Sequence, residues 1–467
     1  MRRLALPVLL SGTFVQLMSV TVMQIVVPDV RADLAAGAGA GQLVAAGYTL
    51  TFACTLITAA RLGDRWGHRR LFVVGTAVFT AAAAAGALAP DAGVLVVARL
   101  VQGIGSGMVA PQVLSIIQRS VPPGRRARAM SWFGATMAVA SLAGPVLGGM
   151  LLELDPFGAG WRAALAVTVP VGVAALVGWP VLPRTGGGAA DRVPLDGVGV
   201  LLSVTGLSAV VLPLALGGEQ GWPVWTWASL AVAVGLLSAL VVHQRRAPHP
   251  LVQPAALGTA TARLGIGVVL VFNAGVPSFV LLLSLHLQGP VGLGPLGTAG
   301  TIATYAVGAL AGSALAEPLA RRWDVSMLAV ASFVLAAVCG ATVVVVDRPG
   351  PALWAVLALG GIAFGAFTAS AFALVLAEVP AGAVGTVSGL LPTAQQLGGT
   401  IGVALCGAAY TAGAVPSFGR AGAYQVAVFV LAAAVAVALA RATRPHTAPD
   451  TRHRAGDHRS EQETRHG

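Results

Sequence analysis

Between Arg263 and Glu317 the sequence runs for 53 residues, 264–316, without one Asp, Glu, Lys or Arg. No water-exposed surface can be built from such a stretch. A helix crosses the hydrocarbon core of a bilayer with about 20 apolar residues, so this run holds two spans. The segment 288–297, where Pro290 and Pro295 stand among glycines, is the natural break. Only 10% of the whole chain is charged and 56% is hydrophobic, against about 25% charged residues in a soluble domain. The expected fold class is an all-α polytopic membrane protein.

Fourteen apolar stretches have the length of a span: residues 6–27, 41–60, 71–90, 93–117, 128–152, 162–182, 197–216, 223–242, 264–287, 297–316, 325–346, 351–376, 385–411 and 422–440. The first follows Met1-Arg2-Arg3 and resembles a signal peptide, but it is long and lacks a clean cleavage boundary, so it reads as a span. Arginine tests the count. All 28 basic residues are Arg, and with the N-terminus inside, 23 of them fall in inner segments or the tail. An even number of spans with both ends cytoplasmic satisfies the positive-inside rule, and one helix more or fewer would spoil it.

Net charge is +11, but the arginines lie in small groups between apolar runs, without the surface stripe of a nucleic-acid binder. They point to anionic inner-leaflet lipid. Heavy Ala, Gly, Val and Arg usage with no Lys points to a GC-rich bacterial genome, hence a bacterial plasma membrane. Cys54, Cys339 and Cys406 sit inside apolar runs with no metal or disulfide spacing. His446, His453, His458 and His466 are scattered through a polar tail, 441–467, that reads as disordered cytoplasm. No metal, cofactor or enzyme chemistry is expected. The glycine-rich stretches lack the Lys of a nucleotide phosphate loop.

One internal echo is visible. Leu62-Gly63-Asp64-Arg65-Trp66-Gly67 and Leu319-Ala320-Arg321-Arg322-Trp323-Asp324 share Leu, Arg and Trp at an offset of 257 residues. They sit at equivalent places in two blocks of six spans, as in transporters built from repeated halves. The division follows: 1–182 is a first six-helix bundle, 183–250 an inserted pair, and 251–440 a second bundle.

Three segments carry candidate chemistry. In 61–70, glycines allow a tight turn and Asp64 is able to meet a helix N-terminus or an Arg across the bundle; an ordinary positive-inside loop is the bland alternative. Arg99 lies within the fourth apolar stretch, where an insertion scale charges about 2.5–3.5 kcal/mol near a helix centre; snorkelling to the interface is its bland alternative. Gly144-Pro145-Val146-Leu147-Gly148-Gly149 reads as a bent helix with a close neighbour.

These segments resemble the major facilitator superfamily, and within it the fourteen-helix drug:proton antiporter family. The loop pattern Asp-Arg-x-Gly-x-Arg-Arg stands at Asp64-Arg65-Trp66-Gly67-His68-Arg69-Arg70, with Ala60 in place of the opening glycine. Arg99-Leu100-Val101-Gln102-Gly103-Ile104-Gly105 is similar to the family's fourth-helix motif, and Gly144, Pro145, Gly148 and Gly149 to its antiporter motif. The resemblance implies the major facilitator fold and alternating access. It implies a gating role for Asp64, Arg65 and Gly67, supported by Arg69 and Arg70, and a proton-linked role for Arg99. It further implies export of small lipophilic compounds or antibiotics by proton antiport.

Departures from the family pattern bear on energy coupling. The family's helix-one Asp falls on Ser19, its Asn on Gln24, and Gln395 replaces an Arg in helix thirteen. No acidic residue stands near the middle of a span, so Asp29, His286 and Glu317 join Arg99 as candidates for proton coupling. An importer or uniporter for a metabolite, without proton coupling, is the alternative. Aromatic residues are 6% of the chain, and Gln16, Gln24, Gln102, Gln112, Asn273, Gln288, Gln395 and Gln396 are the polar candidates for the path. Neutral, zwitterionic or weakly charged substrates are expected over dications, carried by a monomer.

Overall fold

The structure, a computed structural model, describes residues 4–443 apart from 37, 184–195, 218–219, 253–256, 378, 380–383 and 412–416. Two of the arginines counted as inner, Arg184 and Arg192, and nearly all of the tail lie outside the described residues, as does the side chain of Gln24. Among the described residues there are fifteen α-helices and no strand. In order they are α1 (Ala5–Asp33), α2 (Ala38–Trp66), α3 (His68–Ala87), α4 (Ala92–Ser120), α5 (Pro123–Leu154), α6 (Trp161–Ala166) and α7 (Thr168–Val177). There follow α8 (Gly197–Leu216), α9 (Val224–Arg246), α10 (Ala260–Gln288), α11 (Pro295–Trp323), α12 (Ser326–Val345), α13 (Pro351–Ala377), α14 (Val384–Thr411) and α15 (Phe418–Thr443). Eleven are long and apolar enough to cross a membrane.

Two differences from the sequence reading stand out. The sixth apolar stretch is divided at Val167 into α6 and α7 and ends in a 3-10 turn, Trp179–Val181. The segment 61–70 is not a loop. Helix α2 continues to Trp66 and α3 begins at His68, so the turn is the single residue Gly67, at φ 95°. A side chain would strain that left-handed conformation.

Helix ends follow local chemistry. Asp91, Asp196 and Thr259 accept hydrogen bonds from the N–H groups of Val94, Gly199 and Ala262, at 2.9, 2.8 and 3.1 Å. Pro123 and Pro295 open α5 and α11, where a missing N–H costs nothing.

The internal echo extends well past the six residues that betrayed it. Helices α2 and α11 are both 29 residues long and end on Trp66 and Trp323. Both leave the helix through a positive φ, at Gly67 and Asp324. Against α2, a Cβ on Gly103 of α4 would meet the Tyr48 carbonyl and one on Gly107 the Phe52 carbonyl. Against α11, Gly361 of α13 faces the Tyr305 carbonyl and Gly365 the Ala309 carbonyl. The two contacts are the same contact, displaced by 257 or 258 residues. In a bilayer, where lipid removes the hydrophobic drive between helices, such backbone approaches through small residues supply the packing.

Candidate functional site

Asp64 lies on the last turn of α2, and its partners come from three other helices. Arg119, at the end of α4, donates from Nη2 to Asp64 Oδ1 at 2.8 Å. His68, in the first turn of α3, places Nε2 3.4 Å from the same oxygen. Gly385, the second residue of α14, faces both carboxylate oxygens so closely that a Cβ there would collide with them. Negative charge at a helix N-terminus is worth about 0.3–1 kcal/mol, and up to ~2 kcal/mol when partly buried.

Beneath this carboxylate, Gln112 of α4 fixes His68. Its amide Nε2 donates to the Ala59 carbonyl at 2.9 Å, so Oε1 faces His68 Nδ1 at 2.7 Å as an acceptor. Nδ1 therefore carries a proton, and Nε2 is the atom turned to Asp64. His68 is fully buried. The spacing of the loop motif named neither His68 nor Arg119 as a partner of Asp64, because their approach depends on how α3 and α4 pack against α2.

The remaining arginines of the segment divide. Arg69 lies over the Trp179 ring at 4.4 Å and donates to the Pro180 carbonyl at 3.4 Å. Arg65 and Arg70 are exposed, with no hydrogen bond or ion pair among the described residues. Arg61 reaches beyond them and donates from Nε to the Leu251 carbonyl at 2.7 Å, and from Nη2 to the Pro250 carbonyl. Gln244 of α9 accepts from the Val252 N–H at 2.9 Å and donates to Asp196 at 2.7 Å. A chain of contacts thus joins Arg61, through the segment before α10, to α8 and α9. Burial would raise the Asp196 carboxyl, but the Gly199 N–H, His243 and Gln244 outweigh it and hold it below the ordinary carboxylate range.

At this same end, α5 meets α11 and α13. The Phe133 and Phe372 rings are 6.0 Å apart, and a Cβ on Gly134 would stand 3.0 Å from that of Ala369. Gly389 of α14 abuts Ala60 and the Leu56 carbonyl of α2. Helices from both ends of the chain are thus packed against one another, α2 with α14 and α5 with α11 and α13.

The second cluster surrounds Arg99, seven residues into α4 and so about 10 Å from its start. Arg99 is 2% exposed. It donates from Nη1 to Ser19 Oγ at 2.8 Å and Gln102 Oε1 at 2.7 Å, and from Nε to the Val44 carbonyl at 3.2 Å. The guanidinium also lies over the Tyr48 ring at 4.6 Å, whose hydroxyl meets Gln16 O and Ser106 Oγ. These four partners bury the charge and all are neutral. A small cavity bounded by α1, α3, α4, α6 and α7 opens beside it.

The other candidates lie apart. Asp29 is exposed and pairs with none of the described residues near Arg99. Glu317 accepts from Arg321 one turn on, at 2.7 Å, and His286 meets Asp347 at 2.7 Å beside Phe418. Gly144 and Gly148 face Thr21, Val22 and Ile25 of α1, whereas Gly149 has nothing within 4 Å. Helix α5 runs unbroken through Pro145. Asn273 and Gln288 bond within their own helix, to Val269 O and Ser284 Oγ, while Gln395 and Gln396 are half-buried on α14. At the opposite end from Asp64, Asp33 accepts from Arg162 at 2.6 Å and from Trp161 at 3.0 Å. The Arg162 and Trp161 hydrogen bonds hold the Asp33 carboxyl below its ordinary range.

The family model described as Major Facilitator Superfamily matches residues 9–242. The probable actinorhodin transporter of Streptomyces coelicolor is 35% identical over 419 residues, which cover 86% of this chain and 71% of that protein. The cephamycin export protein CmcT of Amycolatopsis lactamdurans is 30% identical over 479 residues, 96% of each. Among solved structures, the proton:xylose symporter XylE superposes with a TM-score of 0.64 over 94% of each chain. At 12% identity that likeness concerns the fold alone.

Proposed function

The chain belongs to the major facilitator superfamily and is a secondary active exporter of the drug-efflux kind; on that premise we propose how its residues divide the work. The Asp64 end is cytoplasmic, with both termini on that side of a bacterial plasma membrane. Helices α6 and α7 together make one broken span, so the fifteen helices supply fourteen crossings. Residues 1–182 and 251–440 form the two six-helix bundles, and 183–250 carries the inserted pair.

The observation that carries this reading is the Asp64 constellation. Asp64 holds the N-terminus of α14 and the end of α4 together, closing the cytoplasmic mouth and leaving the path open outward. Gly67 hinges the two helices, and Arg69 ties α3 to the turn at Trp179. Arg65 and Arg70, being exposed, meet anionic headgroups. Opening inward breaks the contacts at Gly385 and Arg119. Gly144 and Gly148 let α1 and α5 slide closely past each other.

The cargo is a small lipophilic antibiotic-like compound, neutral, zwitterionic or weakly charged, carried by a monomer in exchange for protons. Gln16, Gln102, Gln395 and Gln396 supply its hydrogen bonds, with Asn273 and Gln288 at the margins. One observation favours a second reading, transport without proton coupling: every hydrogen-bonding partner of Arg99 among the described residues is neutral.

Everted vesicles with an inside-acid gradient test both. Drug uptake with proton release, abolished in Asp64→Asn, supports proton antiport. Uptake that leaves lumen pH untouched favours the second reading. If dications outcompete neutral compounds, the substrate class proposed here is wrong.

A further inference from the structure

The fold does not need a charge at Arg99. In the repeat, α4 and α13 correspond at an offset of 258 residues, which brings Arg99 onto Leu357. Leu357 is fully buried in ordinary apolar packing. Tyr48, under the Arg99 guanidinium, likewise corresponds to Tyr305. One half of the molecule therefore keeps the same helix contacts with a leucine, and the other half carries a buried cation.

Removing a cation from water is expensive unless its charge is offset. Among the described residues no carboxylate reaches Arg99. Among the described residues its Nη2 makes no hydrogen bond, and neither does the Gln102 amide nitrogen. Ser19 accepts from Arg99 and keeps its own hydroxyl proton to give. All three residues line the same cavity, whose other walls include Val22, Leu95 and Leu165. The space has room for about one water-sized sphere.

The unused donors of Arg99, Gln102 and Ser19 converge on this cavity, and Thr168, whose hydroxyl donates to the Leu165 carbonyl, is the one other polar residue in its lining. A cluster of donors beside a buried cation is the chemistry of an anion site. We propose that the pocket formed by Arg99, Ser19 and Gln102 binds a monatomic anion, chloride, as the counter-ion of the buried guanidinium. A space of this size excludes carboxylates, sulfate and organic anions, and chloride, a little larger than water, is seated as the walls give slightly. The cavity lies toward the Asp33 end of α4, so the ion enters from the side opposite the Asp64 closure. The inference rests on the exporter reading only for its consequence in transport, since binding itself requires nothing but the pocket.

The test uses the purified full-length protein in neutral detergent, with sodium chloride titrated against sodium gluconate at constant ionic strength. A saturable rise in Tm of about 2–3 °C in chloride is expected. Ser19→Asp places a carboxylate where the Ser19 hydroxyl already meets Arg99, and it should abolish the chloride effect. Ser19→Ala removes one donor and should weaken apparent chloride affinity about tenfold. Equal Tm in the two salts means that water alone occupies the pocket, and the proposal fails. It fails too if Ser19→Asp folds and keeps the full chloride shift, or if Ser19→Ala leaves the affinity unchanged. A null result here leaves the exporter reading intact, because vesicle transport is measured separately. Absence of transport in vesicles would not touch the binding curve.

Discussion

At the scale of single residues, Asp64 is the point where several weak interactions coincide. An exposed ion pair such as Asp64–Arg119 is worth roughly 0.2–1 kcal/mol alone, and the α14 N-terminus adds a comparable amount. Neither would hold a protein together, yet on the proposed gating role their sum is the size needed to bias a two-state closure. Asp64→Asn is therefore expected to lower export at least about tenfold, equivalent to ~1.4 kcal/mol, with little change in Tm. Vesicle efflux beside a melting curve measures both, and a large loss of Tm with export unaltered would contradict the assignment.

At the scale of elements, the glycine contacts decide which helices come close. Gly361 lies against the Tyr305 carbonyl and the Ala309 N–H, both backbone atoms that cannot turn aside. Gly361→Val should overpack this crossing by at least about 1–3 kcal/mol, lowering the monodisperse yield in size-exclusion chromatography. Gly149→Ala, in open surroundings, should leave the yield unchanged and serves as the control.

The pair α8–α9 is held by chemistry of another kind, because Asp196 caps α8 and binds both His243 and Gln244 of α9. Its carboxyl is held below the ordinary value of 3.8, so its stabilisation is complete above that value. It is lost as pH falls through the lowered folded value. The Tm difference between wild type and Asp196→Asn should accordingly shrink toward zero as the pH falls through the lowered folded value.

At the scale of the whole molecule, the proposed gating role means that the contacts around Asp64 separate and re-form during transport. A Cβ on Gly134 would lie 3.0 Å from that of Ala369, near the ~3.5–4.5 Å of a disulfide. The double variant Gly134→Cys with Ala369→Cys should lose export on oxidation and regain it with reductant. Cys54, Cys339 and Cys406 are buried and provide little competing reaction. Retained export after complete cross-linking would show that this contact does not separate during the cycle. The asymmetry of the repeat belongs to this scale too, since matching helices carry Arg99 on one side and Leu357 on the other.

Much of this protein is determined by sequence alone. Apolar length and arginine placement specify membrane spans because lipid leaves the backbone almost no alternative to helix. The six-residue echo at Leu62 and Leu319 predicts a repeat, which the structure carries through helices α2 and α11 and the glycine contacts of α4 and α13. Motif spacing likewise singles out Asp64, Arg99 and Gly144 as candidates. What spacing does not contain is the identity of partners from distant parts of the chain. That Asp64 faces Gly385, that Arg61 reaches Pro250 and Leu251, and that Arg99 is enclosed by Ser19, Gln102 and Tyr48 depend on how rigid helices pack sideways. The break at Val167 and the one-residue turn at Gly67 were likewise decided there. Helix formation in a membrane is a local response to hydrophobicity, whereas a site is made by lateral contacts between residues far apart in the chain.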